Sequence, residues 1–399
     1  MANVSSSNGI EKYPRLRFPE FSDSYHESTL GEIFEYERPD NYIVSSEKYS
    51  DSYPIPVLTA NQAFVLGYTN ETSGIYDKGP VILFDDFTCD MKYADFPFKV
   101  KSSAMKLLTP KEGIPIFYAY NLLQHINYKP EGHARHWISI MQPIKVSLPC
   151  YIEQKRISEF LSLVCKRIEK HQMLIDALKK YKRGVSKRFF DEIHNDQNCE
   201  AKQFSEVFEL IQNNTFSREC LTDENTDVLN VHYGDILVKY GSVLDPDIDT
   251  VPFIKSGTDL SKFSSSSYLQ DGDVIFADTA EDYTVGKMCE IINVSNRKIL
   301  SGLHTMPFRP TITFAPMYLG YYLNSAAFRT QILPMIQGAK VSSISKSEMK
   351  KTIIHIPSIE RQTEIVSILN ALDKRIKRTE LILAELKEMK KGLLQNLFI

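Results

Sequence analysis

Residues 148–190 read LPCYIEQKRISEFLSLVCKRIEKHQMLIDALKKYKRGVSKRFF, and residues 356–398 read IPSIERQTEIVSILNALDKRIKRTELILAELKEMKKGLLQNLF. The two stretches align without a gap at an offset of 208. Twelve positions are identical, among them Pro149/Pro357, Gln154/Gln362, Ile157/Ile365, Gly184/Gly392 and Phe190/Phe398. A long internal repeat decides the architecture ahead of any single motif. In the first copy Ile157, Leu161, Val164, Ile168, Ile175 and Leu178 alternate at spacings of four and three, with His171 in the missing place. In the second, Ile365, Leu369, Leu372, Ile376, Leu383 and Leu386 do the same around Thr379. This is an a/d seam with one polar layer per helix, and a polar seam residue sets register at some cost in stability. Pro149 and Pro357 mark the helix starts, Ser358 and Glu360 supply a cap and a first-turn carboxylate, and Gly184 and Gly392 are expected to weaken or end the last turns.

Upstream, the similarity continues in the same order while the offset shrinks. Gly132–Ser139 matches Gly338–Ser345 at 206, Pro115–Tyr120 matches Pro316–Tyr321 at 201, Gly79–Phe84 matches Gly272–Ala277 at 193, and Leu30–Phe34 matches Phe204–Phe208 at 174. Two copies of one module therefore share a framework, each a variable globular part followed by a near-constant helix. The second framework is 34 residues longer, so the two copies are not interchangeable. Short apolar runs at Val81–Phe84, Val274–Phe276 and Lys287–Val294 read as strands, and Pro115–Ile126 and Pro316–Ile336 have helical periodicity. The expected fold class is α+β: two tandem mixed α/β domains separated by two long helices packed as an antiparallel coiled coil, with pseudo-twofold symmetry. The expected boundaries are an N-terminal arm at 1–24, globular domains at 25–148 and 193–355, and helices at 149–192 and 356–399. A helix of about 40 residues is roughly 60 Å long, too long for one small domain to cover, so its simplest partner is the other copy; packing of each helix on its own globular part is the alternative.

The remaining composition excludes several classes. The chain has 399 residues, 43% of them apolar and 24% charged, which is a soluble composition divided into two or more domains. No apolar run reaches membrane-spanning length and no secretory signal opens the chain, so a cytoplasmic protein with no membrane contact is expected. The six cysteines are scattered, with no zinc-ligand spacing, and are expected to be reduced, with no metal bound. There is no G-x-x-x-x-G-K-[ST], H-E-x-x-H, G-x-S-x-G or Asn-Pro-Pro-aromatic motif, so no residue is nominated as catalytic. The net charge of −3 rules out a uniformly basic coat, yet residues 151–190 carry eleven Lys and Arg against four acids. The cluster Lys179, Lys180, Lys182, Arg183, Lys187 and Arg188 suits a solvated face, phosphate or an acidic partner.

Taken together, these residues resemble the specificity subunits of type I restriction-modification systems. The resemblance spans essentially the whole chain. It rests on Pro14-Arg-Leu-Arg-Phe-Pro-Glu-Phe21, Leu30-Gly-Glu-Ile33, Gly272-Asp-Val-Ile275, Arg309-Pro310 and the two Pro…Gln…Ile…Leu helices that end in Lys-x-Gly…Phe. It implies two target recognition domains that each read half of a bipartite, asymmetric double-stranded DNA target, with the helices setting the spacer. It also implies two modification subunits, docked on the helices, and restriction subunits. Those partners would use S-adenosylmethionine, ATP and Mg, while this chain binds no cofactor and catalyses nothing. Arg309-Pro310 has no clear counterpart in the first module.

Base reading calls for side chains that fork hydrogen bonds from loops, with cations beside them for phosphate. Module one offers Thr59, Asn61 and Gln62, the turn from Thr88 to Lys92, and Arg135 with His136; Trp137 is read as core. Module two offers Lys255, Thr258, Thr284, Lys287, the stretch from His304 to Arg309, Lys340 and Ser342. Two readings of other classes remain. A coiled-coil scaffold without DNA binding explains the helices but not two variable domains on one framework. A solitary nuclease or methyltransferase needs the motifs that are missing.

Overall fold

The computed structural model describes residues 13–60, 63–132, 134–338 and 341–399. The chain divides into two compact units, one running to Met173 and taking in Glu380–Ile399, the other Leu174–Thr379. Each unit thus holds one globular module and a half of each long helix. The central helix is Tyr151–Asn195 and the C-terminal helix Ile359–Leu397.

In the first unit the module begins and ends on one antiparallel ribbon, His26–Thr29 against Lys145–Leu148. Thr29 then caps the short helix Leu30–Ile33 in a box closed by Glu32, so the chain turns from this ribbon into the sheet within four residues. The sheet is antiparallel throughout, in the order Phe34–Glu37, Met105–Pro110, Val81–Asp85, Met91–Ala94. Val81–Asp85 is buried along its whole length, which explains a continuous apolar run where an outer strand would alternate. A second sheet orders Val65–Thr69, Ile55–Leu58 and Lys99–Val100, the last two parallel.

The second unit repeats this plan. Its ribbon is Glu200–Gln203 against Ile353–Ile356, and Gln203 and Glu206 form the same box at the helix Phe204–Val207. The main sheet runs Phe208–Leu210, Thr305–Pro310, Val274–Ala277, Met288–Ile291, with Val243–Leu244 added at the edge. The parallel pair recurs as Val228–Val231 beside Lys298–Ser301.

Both long helices begin the same way. The Gln154 and Gln362 amides each donate to the proline carbonyl five residues back, at 2.9 Å. Ser358 Oγ accepts from Arg361 N at 3.3 Å, and the Glu360 carboxyl is held below its usual range by its own backbone N–H and the Ser358 hydroxyl. Within each unit the helix halves run antiparallel. Ile157 and Leu161 share a core with Leu397 and Phe398 in the first, and Phe190 and Ile193 share one with Ile365 and Leu369 in the second. Those cores also contain globular residues, so each half-helix packs on both kinds of neighbour. Val164, Ile175, Leu178, Ile376, Leu383 and Leu386 are buried as well, whereas Ile168 and Leu372 are only half-buried. His171 Nδ1 and Thr379 Oγ1 both turn back onto the carbonyl four residues earlier in their own helix.

Three expectations change. The helices run on through Gly184 and Gly392, because the buried Phe190, Ile193 and Leu397 lie beyond them and fix the last turns by packing. The segment 316–336 is two helices and a turn, Tyr318–Leu323, Ala326–Ile332 and Leu333–Met335, since Ser325 caps Phe328 N and starts a new helix. Arg309-Pro310 does have a counterpart: the register sets Phe34 against Pro110 and Phe208 against Pro310, so Thr109-Pro110 occupies its place.

Candidate nucleic-acid interface

In module one the candidate interface is built on the loop joining strands Val81–Asp85 and Met91–Ala94. Asp85 Oδ1 accepts from the backbone N–H of Phe87 and Thr88, both at 2.9 Å, and Cys89 closes the turn in the left-handed region (φ 58°). Thr88 is thereby fixed, exposed, at the tip. Next to it, Asp86 is buried, and its carboxylate accepts from Trp137 N at 2.8 Å and His136 N at 3.1 Å, with Lys106 Nζ 3.5 Å away. Asp86 staples the segment 135–137 to the loop. Arg135 stays exposed with its guanidinium 5.6 Å from the Phe87 ring, a cation–π contact that steadies the cation beside Thr88.

Module two uses the same junction with a longer loop. Thr279–Ala280 pairs with Ser342–Ser343, doing with a ribbon what Asp86 does with a carboxylate. Asp282 Oδ1 accepts from Thr284 N at 2.8 Å and from its hydroxyl. His304 sits in a left-handed turn (φ 55°), with Nδ1 3.5 Å from the Asp278 carboxylate and its ring edge-on to Tyr233 at 5.3 Å. Tyr233, Val238, Thr279, Asp282, Thr284 and His304 line a cleft of about 450 Å³.

The structure therefore gathers Thr88 with Arg135, and Thr284 with His304, close to the ribbon that carries Ser342. It assigns other candidates to the scaffold. His136 is only 1% exposed and its ring nitrogen meets the Asp86 carbonyl at 3.2 Å, so it cannot present an edge to a groove. Arg309 grips Asp273 with two bonds, at 2.9 and 2.7 Å, and gives a third to the Tyr268 carbonyl. Burial pushes the Asp273 carboxyl up, against the pull of that guanidinium. Lys287 Nζ donates to the carbonyls of Leu237 and Tyr240 at 2.9 and 3.0 Å, capping the helix Tyr233–Val238, and burial lowers its pKa. Thr59 and Thr258 close local turns through the carbonyls of Ala63 and Lys255. Lys255 joins that same turn through its backbone and keeps its side chain exposed, while Lys92 is a half-buried strand residue opposite Leu83. Asn61, Gln62 and Lys340 lie outside the described residues. Trp137 is fully buried, as expected of a core residue.

Four residues that shape the two junctions were not singled out in the sequence: Asp86 and Phe87 in the first, and in the second Tyr283 and Arg329, whose guanidinium donates to the Tyr283 carbonyl at 2.7 Å. An aromatic inside a polar turn, as in Asp282-Tyr-Thr284, was the available signal for Tyr283. On the central helix, three cations of the basic cluster are already paired: Lys182 with Asp373, Lys187 with Asp191 and Arg188 with Glu192. Among the described residues no group of His, Cys, Asp or Glu is arranged to hold a metal ion, and no helix is long and apolar enough to cross a membrane.

Two copies of one mixed domain, each closed by a long helix and each exposing the same loop junction, define a tandem-repeat protein. The family model described as the type I restriction modification DNA specificity domain matches residues 23–180 and again 197–388, and the chain belongs to that family. It is 48% identical over 128 residues to the EcoR124I/EcoR124II specificity subunit of Escherichia coli; the match covers 30% of this chain, and the chain spans about a third (31%) of the length of that relative. The fold is similar to the type I restriction-modification S subunit from M. genitalium, with a TM-score of 0.61 at 13% identity over 97% of this chain and 99% of the other. A second structure, described under complex assembly and conformational transition of the type I R-M system, gives 0.51 at 14% identity over 91% and 96%.

Proposed function

We propose that this chain is the sequence-reading subunit of a type I restriction-modification complex, with each module reading one half of a bipartite double-stranded DNA target. The observation that carries the reading is the repeated junction. In both modules the loop between the second and third strands of the shared sheet is stapled to the segment just before the module's last strand, and both junctions hold exposed polar side chains from candidate stretches. Rigid presentation suits base readout, because a side chain that must find its base pays less in entropy when its loop is already ordered. In this reading the chain holds no catalytic group. The long helices dock two modification subunits, restriction subunits join them, and S-adenosylmethionine, ATP and Mg belong to those partners. The cytoplasm, where the genome lies, is the compartment.

The test is a graft. Residues 25–148 start and stop on the two paired strands of one ribbon, so a relative's module can replace them without cutting the sheet. Sequencing of methylated sites should show one half-sequence replaced and the other kept. A graft that methylates the original bipartite site would refute the assignment of one half-target to each module.

A further inference from the structure

Tyr283 is 87% exposed, yet the loop that carries it is held on all sides. Arg329, from the helix Ala326–Ile332, donates to the Tyr283 carbonyl at 2.7 Å and the Val285 carbonyl at 3.0 Å. Val285 is fully buried, and Gly286 N donates to the Ala277 carbonyl at 2.8 Å from a left-handed conformation (φ 78°). Asp282 ties down Thr284 from the other side. The guanidinium of Arg329 makes its hydrogen bonds to backbone carbonyls, and burial lowers its pKa, so a desolvated cation is committed to the shape of this turn. A single exposed ring is common on a protein surface; what sets Tyr283 apart is that its own carbonyl, and that of Val285, are gripped by the Arg329 guanidinium, so the backbone presenting the ring is fixed.

The surroundings indicate what the ring meets. In sequence Tyr283 lies between Asp282 and Thr284, which line the cleft together with Glu281 and His304, and His304 Nδ1 is 3.5 Å from the Asp278 carboxylate. Carboxylates repel phosphate, so the ring does not lie along a DNA backbone. They do accept from the exocyclic amino groups of cytosine and adenine, which face the major groove, and an aromatic ring packs there on a thymine methyl. Resting on the DNA-reading assignment above, we propose that Tyr283 is a specificity-determining residue of the second module, set against base edges in the major groove, and that Arg329 is the residue that positions it. Among the described residues the first module shows no such device. Its loop is shorter, and its aromatic, Phe87, is half-buried under Arg135.

That asymmetry makes the test internally controlled. The full chain, assembled with its modification subunits, is supplied with methyl donor and genomic DNA, and the methylated sites are sequenced for wild type, Tyr283→Ala, Tyr283→Phe and Arg329→Gln. Tyr283→Ala should relax one or two positions of the second half-sequence by roughly tenfold, the scale on which single base-pair mismatches are discriminated, and leave the first half-sequence intact. Tyr283→Phe, which keeps the ring, should retain the preference. Arg329→Gln should relax the same positions to a smaller degree, whereas a merely structural role would lower total methylation without changing any preference. Unchanged half-sequences in Tyr283→Ala, or equal relaxation of both, overturn the proposal. The DNA-reading assignment fails separately, if the graft of residues 25–148 changes neither half.

Discussion

The two units solve one problem with opposite charges. In the second, Arg361 in the first turn of the C-terminal helix pairs with Glu192 near the end of the central helix, at 2.9 Å. In the first, the position equivalent to Arg361 is Glu153, and its partner is Arg17 of the N-terminal arm, at 2.7 and 2.9 Å, with Tyr25 donating a further bond at 3.1 Å. The arm also meets the end of the C-terminal helix, through Leu16 N to the Asn396 carbonyl at 2.9 Å. It supplies to the first module what the end of the central helix supplies to the second. Reversing the sign has a consequence for pairing. An arginine brought to the start of the C-terminal helix would face Arg361, so the arm is electrostatically suited to one helix start and not the other.

The two pairs also differ in burial, which separates their energies. Glu153 is 1% exposed and Arg17 13%, whereas Arg361 and Glu192 are 33% and 45% exposed. Arg17→Ala leaves a buried carboxylate with, among the described residues, Tyr25 as its remaining side-chain donor and should cost about 3 kcal/mol. Arg361→Ala removes a solvent-screened pair and should cost below about 1 kcal/mol. Trp137, the sole tryptophan, is fully buried in the first unit, so its fluorescence in a urea titration reports the Arg17 variant directly. Hydrogen exchange in Val274–Ala277 reports the second unit. Losses of equal size would remove the distinction between a buried and an exposed lock. Exchanging the charges, Arg17→Glu with Glu153→Arg, should recover part of the loss.

Features carried by local periodicity were legible in the sequence, and features that depend on distant partners were not. The seam from Ile157 to Leu178 and its copy repeat every three or four residues, and the apolar runs Val81–Phe84 and Val274–Ala277 lie in strands buried along their length. By contrast, the parallel pairing of Ile55–Leu58 with Lys99–Val100 joins segments some forty residues apart through a two-residue strand, which leaves no local pattern. The candidate residues divide the same way. Thr88, Arg135, Thr284 and His304 stand exposed at the two loop junctions. His136, Arg309 and Lys287 looked identical to them, yet Asp86, Asp273 and the carbonyls of Leu237 and Tyr240 hold them inside, at separations of 36 to 50 residues.

A second contrast is smaller and depends on pH. Glu290 in the second unit is 1% exposed and accepts from the N–H of Met317 at 2.6 Å and Gly320 at 2.8 Å; burial outweighs those bonds and pushes its carboxyl up to about 7. Its counterpart by strand register is Ala94, which does not titrate. An acid whose pKa is higher folded than unfolded keeps its proton longer in the native state. Its contribution is therefore complete below about pH 4.5 and lost as pH rises to about 7, an effect of about 2 kcal/mol once discounted for relaxation. Hydrogen exchange should show the second unit weakening across that window relative to a Glu290→Gln variant. A stability difference between the two proteins that is flat from pH 4.5 to 7 would rule out the titration.

The smallest effect tests the repeat at its most nearly matched point. Lys182 and Lys390 are repeat equivalents, and so are Asp373 and Cys165, by the same offset of 208. In the second unit Lys182 Nζ binds both Asp373 oxygens, at 2.6 and 2.7 Å, and Tyr321 donates to the same carboxylate at 2.9 Å. In the first unit the thiol of Cys165 takes the place of that carboxylate, near Tyr120, and Lys390 turns instead to Gln124 Oε1 at 2.9 Å. An ionic lock thus stands against a neutral one on the same backbone. Asp373→Cys copies the first unit into the second and should cost about 1 kcal/mol, because the pair is partly exposed and screened. Cys165→Asp should draw Lys390 from Gln124 and gain no more than about 0.5 kcal/mol, since one hydrogen bond is exchanged for a stronger one. Both differences should shrink in 1 M salt, where the screening length falls to about 3 Å. The cost of Arg17→Ala, which arises from a buried carboxylate, should persist there. If Cys165→Asp destabilises the first unit, then the surroundings of Cys165 are apolar enough to reject the charge, and the two units differ in local dielectric as well as in partner.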